Sequence, residues 1–195
     1  MPKQIDIINA ELSKAKARWK AKETPQSLFS DEQKKQLLGV IPNKEFLASV
    51  KELLKIEVAP KSVNYLPSVD WRNHNGNHVT PVKDQLQCGS CVSFACCALV
   101  ESMASIEKNI ILNLSEADSH FCSSHGANCN GWWPEQCLNS IISRGVCDEA
   151  CFPYESAFPG PICKPCPNRD RKTYKITSKN AILLNDLRKE YLSKF

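Results

Sequence analysis

Pro81-Val82-Lys83-Asp84-Gln85-Leu86-Gln87-Cys88-Gly89-Ser90-Cys91 is the stretch on which the reading of this chain turns. Residues 71–90 hold Gly76, Pro81 and Gly89 but few periodic apolar residues, which predicts a loop. Beyond it, Phe94, Ala98, Val100, Met103, Ala104 and Ile106 predict an apolar-rich helix from Cys91 to about Lys108. Cys91 therefore falls where loop turns into helix. A thiol at a helix N-terminus feels the positive end of the helix dipole, which favours the thiolate. Gln85, six residues earlier, can bring an amide N–H toward the same point. A nucleophile beside a donor for a developing oxyanion is what acyl transfer requires.

Outward from that stretch, the chain divides by charge and by cysteine. It has 195 residues, 42% apolar and 24% charged, enough to enclose a core. Residues 1–64 carry 12 Lys+Arg against 8 Asp+Glu, and residues 65–195 carry 13 against 13. This balance carries no nucleic-acid footprint. No run approaches the ~18 apolar residues of a membrane span. All 11 cysteines lie between Cys88 and Cys166, a density that points to an oxidising compartment, and an odd number leaves at least one thiol without an internal partner. The start, Met1-Pro2-Lys3-Gln4, has no apolar region after it of the kind a secretory signal needs.

Local patterns predict the elements. Ile8, Leu12, Ala15 and Trp19 mark one face of a helix over residues 5–21. Ser30-Asp31-Glu32-Gln33 is a capping box opening a helix to about Leu38, with Gly39 as its C-cap. A further helix is expected over residues 43–56, then an extended linker between Pro60 and Pro67. Ser115 with Asp118 is a second capping-box start, and Pro134 and Gly145 bound a helix over 134–144. Residues 147–170, rich in Pro and Cys, read as a stapled loop. A short strand over 174–177 and a helix over 179–193 complete the pattern. Cys96, Cys97 and Cys137 fall on helices as buried thiols. His74, His78, His120 and His125 read as surface loop residues. Asn113-Leu114-Ser115 fits an N-glycosylation acceptor, a triplet that is also common by chance.

The Cys88/Cys91 and Cys163/Cys166 spacings also occur in zinc sites and redox motifs, but no βαβ context accompanies them. The order of motifs resembles instead the papain-like (cathepsin-type) cysteine proteinases. Leu66-Pro67-Ser68-Val69-Asp70-Trp71-Arg72 looks like the start of a mature enzyme, and Val79 to Gln85 the approach to the nucleophile. Cys88-Gly89-Ser90-Cys91, Leu114-Ser115-Glu116, Cys122, Cys129-Asn130-Gly131 and Phe152-Pro153-Tyr154-Glu155 follow in the family order. Residues 5–42 look like a short cathepsin-type propeptide.

The resemblance implies an α+β papain-like fold, here the mainly helical left lobe with a helical propeptide over 1–64. Residues 65–195 would then be the N-terminal part of the peptidase domain, with the C-terminal β lobe missing. It puts Cys91 at the nucleophile position and Gln85 at the oxyanion hole, with Asn130, Gly131, Trp132 and Trp133 along the substrate. It pairs Cys88 with Cys129, and Cys122 with Cys163 or Cys166, and leaves Cys147 and Cys151 with the remaining one for an extra bridge. It implies no metal and no cofactor. The partners are a peptide or protein substrate and the chain's own propeptide in the cleft, run opposite to substrate. The compartment would be secreted, lysosome-like or periplasmic.

A free cysteine also needs a base, and the papain-type histidine lies roughly 130–150 residues downstream of the nucleophile. Only 104 residues follow Cys91, and none of the four histidines stands in the family's setting. The expectation is a cysteine endopeptidase precursor that is inactive as this chain alone and self-associates through an uncovered inner wall. Three departures favour an alternative, a protease-derived binding or inhibitory module. Leu86 and Trp132 stand where the family has glycine, and Val92 where it has tryptophan. An indole at 132 is expected to fill or reshape the pocket beside the cut.

Overall fold

The computed structural model describes residues 4–40, 44, 47–48, 68–123, 126–157 and 162–179. Of the helix expected over 43–56 only residues 44 and 47–48 are described, and these are helical; of that over 179–193 only Lys179 is described, and the Pro60–Pro67 linker and His125 lie outside the described residues. The chain divides into two compact units, Met1–Gln36 and Leu37–Phe195.

In the first unit, helix α1 spans Gln4–Lys14 and is shorter than the apolar spacing predicts. Lys16 takes a left-handed backbone (φ 51°), and the Ala17 N–H reaches back to the Leu12 carbonyl at 2.9 Å, which closes the helix. The chain then folds back on α1: the Asn9 side chain donates to Ala21 O (3.1 Å) and accepts from Ala21 N–H (2.8 Å). Trp19 consequently leaves the helical face and is exposed. Thr24 caps a 3₁₀ turn over Pro25–Leu28. Helix α2, Asp31–Gln36, starts at the expected capping box: Gln33 N–H donates to Ser30 Oγ, and Ser30 N–H to Gln33 Oε1 at 2.8 Å.

The second unit is organised by helix α3, Cys91–Lys108, whose bounds match the sequence expectation and which Asn109 ends in a left-handed cap (φ 54°). Its Val92, Cys96, Cys97 and Val100 pack with Leu112, Leu114, Trp132, Cys137, Ile141 and Val146 into the main core. The partners are α4 (Glu116–Phe121), opened by the Ser115 hydroxyl accepting from Asp118 N–H, and α5 (Pro134–Ser143). Strands β1 (Val146–Cys147) and β2 (Thr173–Tyr174) pair antiparallel, with Val146 opposite Tyr174.

Three disulfides fix the irregular remainder: Cys88–Cys129, Cys122–Cys163 and Cys151–Cys166. Each contributes about 2–4 kcal/mol by restricting the unfolded chain. Cys147, a candidate for the third bridge, is instead a buried free thiol in β1, as Cys96, Cys97 and Cys137 are in the helices.

Candidate active site

Cys91 is the first residue of α3, a free and half-buried thiol. The other four free thiols are buried, so Cys91 is the one placed to meet a reagent from solution. The loop before it is held from several sides. Cys88 is bridged to Cys129, and the Gly89 N–H donates to the Cys129 carbonyl at 2.9 Å. The Tyr154 hydroxyl donates to the Gln85 carbonyl (2.9 Å) and lies 2.6 Å from Ser90 Oγ. A carbonyl only accepts, so the Tyr154 proton goes to Gln85 and the Ser90 hydroxyl donates to tyrosine. The ring is wedged edge-on against Phe94 and stacked on Phe121. Tyr154, from the Phe-Pro-Tyr-Glu turn, thus ties the Gln85 segment to the start of α3.

The Gln85 side-chain nitrogen spends both its protons on carbonyls: Cys88 O at 2.8 Å and Leu37 O at 3.1 Å. The second is the telling contact, because a carbonyl oxygen from outside the loop sits on the donor expected to hold an oxyanion. The segment around it continues against the neighbouring backbone of Gly131 and Trp132. Trp132 N–H donates to Gly39 O at 2.7 Å, and Val40 pairs with Trp132 in a parallel bridge. A Cβ on Gly39 would stand 1.9 Å from the Gly89 carbonyl oxygen, and one on Gly131 would stand 2.4 Å from Gly39 O. The two backbones meet with no room for a side chain between them. Gly39 therefore does not cap α2 as the sequence suggested; it is the residue that lets the segment lie in the groove.

The four residues expected along a substrate separate into backbone and side-chain roles. Asn130 is exposed, with its N–H on Asn128 Oδ1 at 2.8 Å, and Gly131 and Trp132 present backbone to the groove. The Trp132 indole turns the other way, 2% exposed in the main core and edge-on to His120, so it does not fill the groove as expected. Trp133 is half-buried at the N-terminus of α5. Val92 likewise fills the core. Leu86 takes a left-handed backbone (φ 51°), stabilised by its N–H on Asp84 Oδ1, at a position where glycine carries no steric penalty.

His120 is a correction to the surface reading of the histidines. It is fully buried, with Nε2 on the Asn128 carbonyl (3.0 Å) and Nδ1 on the Ser93 hydroxyl (3.0 Å). The carbonyl requires Nε2 to carry the proton, so Nδ1 accepts from serine and the ring is neutral. Burial pushes it down to about 4, against the upward pull of the Asn128 carbonyl. His78 bonds Ser105 near the far end of α3 (2.8 Å), and His74 packs edge-on to Trp71. None of these three is a proton acceptor for Cys91.

Two buried ion clusters behind the site were not foreseen from sequence. Lys83 Nζ donates to Glu116 Oε1 (2.7 Å) and Leu114 O (3.0 Å) and lies 3.5 Å from Glu101. Glu101 accepts from Leu114 N–H and the Thr80 hydroxyl. Burial pushes Glu116 up to about 7 against the pull of Lys83, and burial also raises Glu149. Farther along α4, Asp118 takes both Arg144 and a two-pronged Arg169, plus the Cys147 N–H. Burial works to raise its carboxyl, but the two guanidiniums hold it below the usual range. The capping-box reading of Ser115-x-x-Asp118 placed this aspartate on a helix but gave no hint of its arginines. Among the described residues, no group of three or more His, Cys, Asp or Glu is arranged to hold a metal ion.

Residues 66–192 match the model of the papain family of cysteine proteases. The chain is 40% identical to falcipain-2b of Plasmodium falciparum over 118 residues, 60% of this chain and 23% of that protein. It is 29% identical to human cathepsin L2 over 165 residues, 83% of this chain and 47% of that protein. Procathepsin L 3 of the Tenebrio molitor larval midgut superposes with a TM-score of 0.64 at 25% identity, over 88% of this chain and 52% of that one. The chain thus spans about a quarter to a half of the curated relatives it matches.

Proposed function

Because this chain belongs to the papain family of cysteine proteases, we propose that it is part of an endopeptidase precursor held inactive by its own residues 37–40. Residues 1–64 are the propeptide, and residues 65–195 are the N-terminal part of the peptidase domain. In the whole enzyme the Cys91 sulfur attacks a peptide carbonyl carbon. The Gln85 amide steadies the resulting oxyanion, the amine leaves with a proton, and water then releases the acyl group from the thioester. The base is a histidine on a second lobe, for which the greater length of the relatives leaves room. The substrate backbone lies along Asn130, Gly131 and Trp132, where Gly39 and Val40 now lie.

One observation carries this reading: the Leu37 carbonyl on the Gln85 side chain, with Gly39 O on the Trp132 N–H. A segment that uses the oxyanion donor and the groove's backbone donor together excludes a substrate from both. The uncovered face of α3 supports a second lobe, since Ala95, Ala98 and Leu99 (51% exposed) share one side of the helix below Cys91. Left uncovered, the same face drives self-association. Three disulfides support an oxidising compartment, secreted or lysosome-like.

The test is thiol labelling with a peptidyl epoxide, read by peptide mapping. Cys91 is labelled alone, slowly in the chain as it stands and at least ~10-fold faster in Gly39→Val, whose side chain cannot fit against Gly89. Equal labelling of several cysteines, or no change in Gly39→Val, overturns the autoinhibited protease in favour of a protease-derived binding module.

A further inference from the structure

Asn113-Leu114-Ser115 is the sole Asn-x-Ser/Thr triplet in the 195 residues, and the proposed function makes no use of it. The tertiary structure treats its residues differently. The segment is bridged antiparallel through Leu114 to Asp148, and the Asn113 carbonyl accepts from Glu149 N–H at 2.8 Å. Bridged backbone alternates its side chains. Leu112 and Leu114 are accordingly buried, while Asn113 between them is exposed. Among the described residues the Asn113 side chain makes no hydrogen bond that would compete for its amide.

Ser115 has the opposite fate. Its hydroxyl is fully buried, donating to the Phe152 carbonyl (2.6 Å) and accepting from Asp118 N–H (2.9 Å). A transferase that must engage that hydroxyl therefore meets it only before α4 is capped, while the chain is still unfolded. Once folded, the serine is withdrawn and the asparagine still points outward with room for a sugar. The loop leading to it bears Ile110 and Ile111, the latter 86% exposed, which a glycan would shield. Asn113 follows the C-terminal end of α3, and that helix is about 26 Å long, so a glycan there stands clear of Cys91 at the other end.

We propose that Asn113 is an N-glycosylation site, modified as the chain enters an oxidising secretory compartment. The Asn113 amide nitrogen forms a bond to the first sugar of a lipid-linked oligosaccharide pyrophosphate. The sugar–phosphate bond breaks, the lipid pyrophosphate leaves, and the amide gives up one proton.

The experiment expresses the chain behind a secretory leader in eukaryotic cells and reads intact mass with and without peptide-N-glycosidase, on secreted and cell-retained protein alike. One glycan is expected on the wild type, lost on digestion with conversion of residue 113 to an acid. None is expected on Asn113→Gln, which melts at the same temperature as the deglycosylated wild type because the side chain is exposed. A disulfide-bonded wild type without sugar overturns the proposal, as does a glycan that survives in Asn113→Gln. Neither result bears on Cys91 labelling, so a failure here is separable from a failure of the protease reading.

Discussion

The two buried charge clusters of the second unit combine acid and base in opposite proportion. Asp118 faces two arginines, Arg144 and Arg169. Lys83 faces Glu116 and Glu101 directly, with the Glu149 carboxyl acting on it from farther off. The difference decides how each responds to stress. Arginine cannot give up its proton in a protein, so the Asp118 cluster has no neutral form to retreat to. The lysine cluster has an acid surplus and relieves it by taking up a proton. Two of its carboxylate oxygens, Glu116 Oε2 and Glu149 Oε2, are buried without a hydrogen-bond partner, which leaves their charge unsolvated and raises both carboxyls.

The largest effect is expected at Asp118. Replacing it with Asn leaves two guanidiniums buried against a neutral amide, at a cost of about 3–5 kcal/mol, read in urea unfolding. The loss should persist at every pH above the acid range, because Asp118 is lowered in the fold. Its contribution is present above the unfolded value of 3.8 and lost only as pH falls through the lower folded value. Loss of stability confined to one side of neutrality would break the contrast.

Lys83→Met sharpens it. Removing the lysine is expected to cost about 3 kcal/mol at pH 8 and markedly less at pH 5, where the Glu116 carboxyl it leaves behind is protonated. Glu116→Gln probes the same surplus from the other side. A carboxyl raised from 4.5 to about 7 favours the fold fully below pH 4.5 and loses that advantage as pH rises through 7. The variant should remove a downward slope of up to about 3 kcal/mol across that window. His120 slopes the opposite way, since its neutral form is favoured above 6.5 and lost as pH falls toward 4. The glutamine variant therefore exposes a net rise in stability with pH between these values. The smallest effect is expected at Leu86→Gly, where relief of the left-handed backbone, about 1 kcal/mol, is offset by loss of the half-buried side chain from the cluster around Tyr154 and Phe152. Its melting temperature should stay within a few degrees of the wild type.

Lys83 stands two residues before Gln85, so the proton on its cluster is mechanically close to the site. Cys91 labelling in Lys83→Met measures whether the loop keeps its position when the anchor is removed. Gln85 itself was legible in the sequence as a donor, because its spacing to Cys91 is local. The Leu37 carbonyl on its amide was not, since that contact spans 48 residues. His120 failed for a related reason. Its place in the sequence reads as surface loop, and only the approach of Ser93 and the Asn128 turn makes it a core residue. Cys147 shows the same limit among the thiols, for the bridge went to Cys151 and Cys166 while β1 carried Cys147 inward.

What the chain's residues determine unaided is short-range. The start of α3 at Cys91, its end at Lys108, the serine caps of α2 and α4 and the proline start of α5 all follow from propensity and from hydrogen bonds a few residues apart. What the tertiary structure alone decided is direction and occupancy. Trp132 turned its indole into the core and its N–H to the groove, Gly39 proved to be a contact rather than a cap, and acids met bases in unequal numbers. Those outcomes depend on which distant backbones come within a few ångströms, and that is set by packing the whole unit at once rather than by any local pattern.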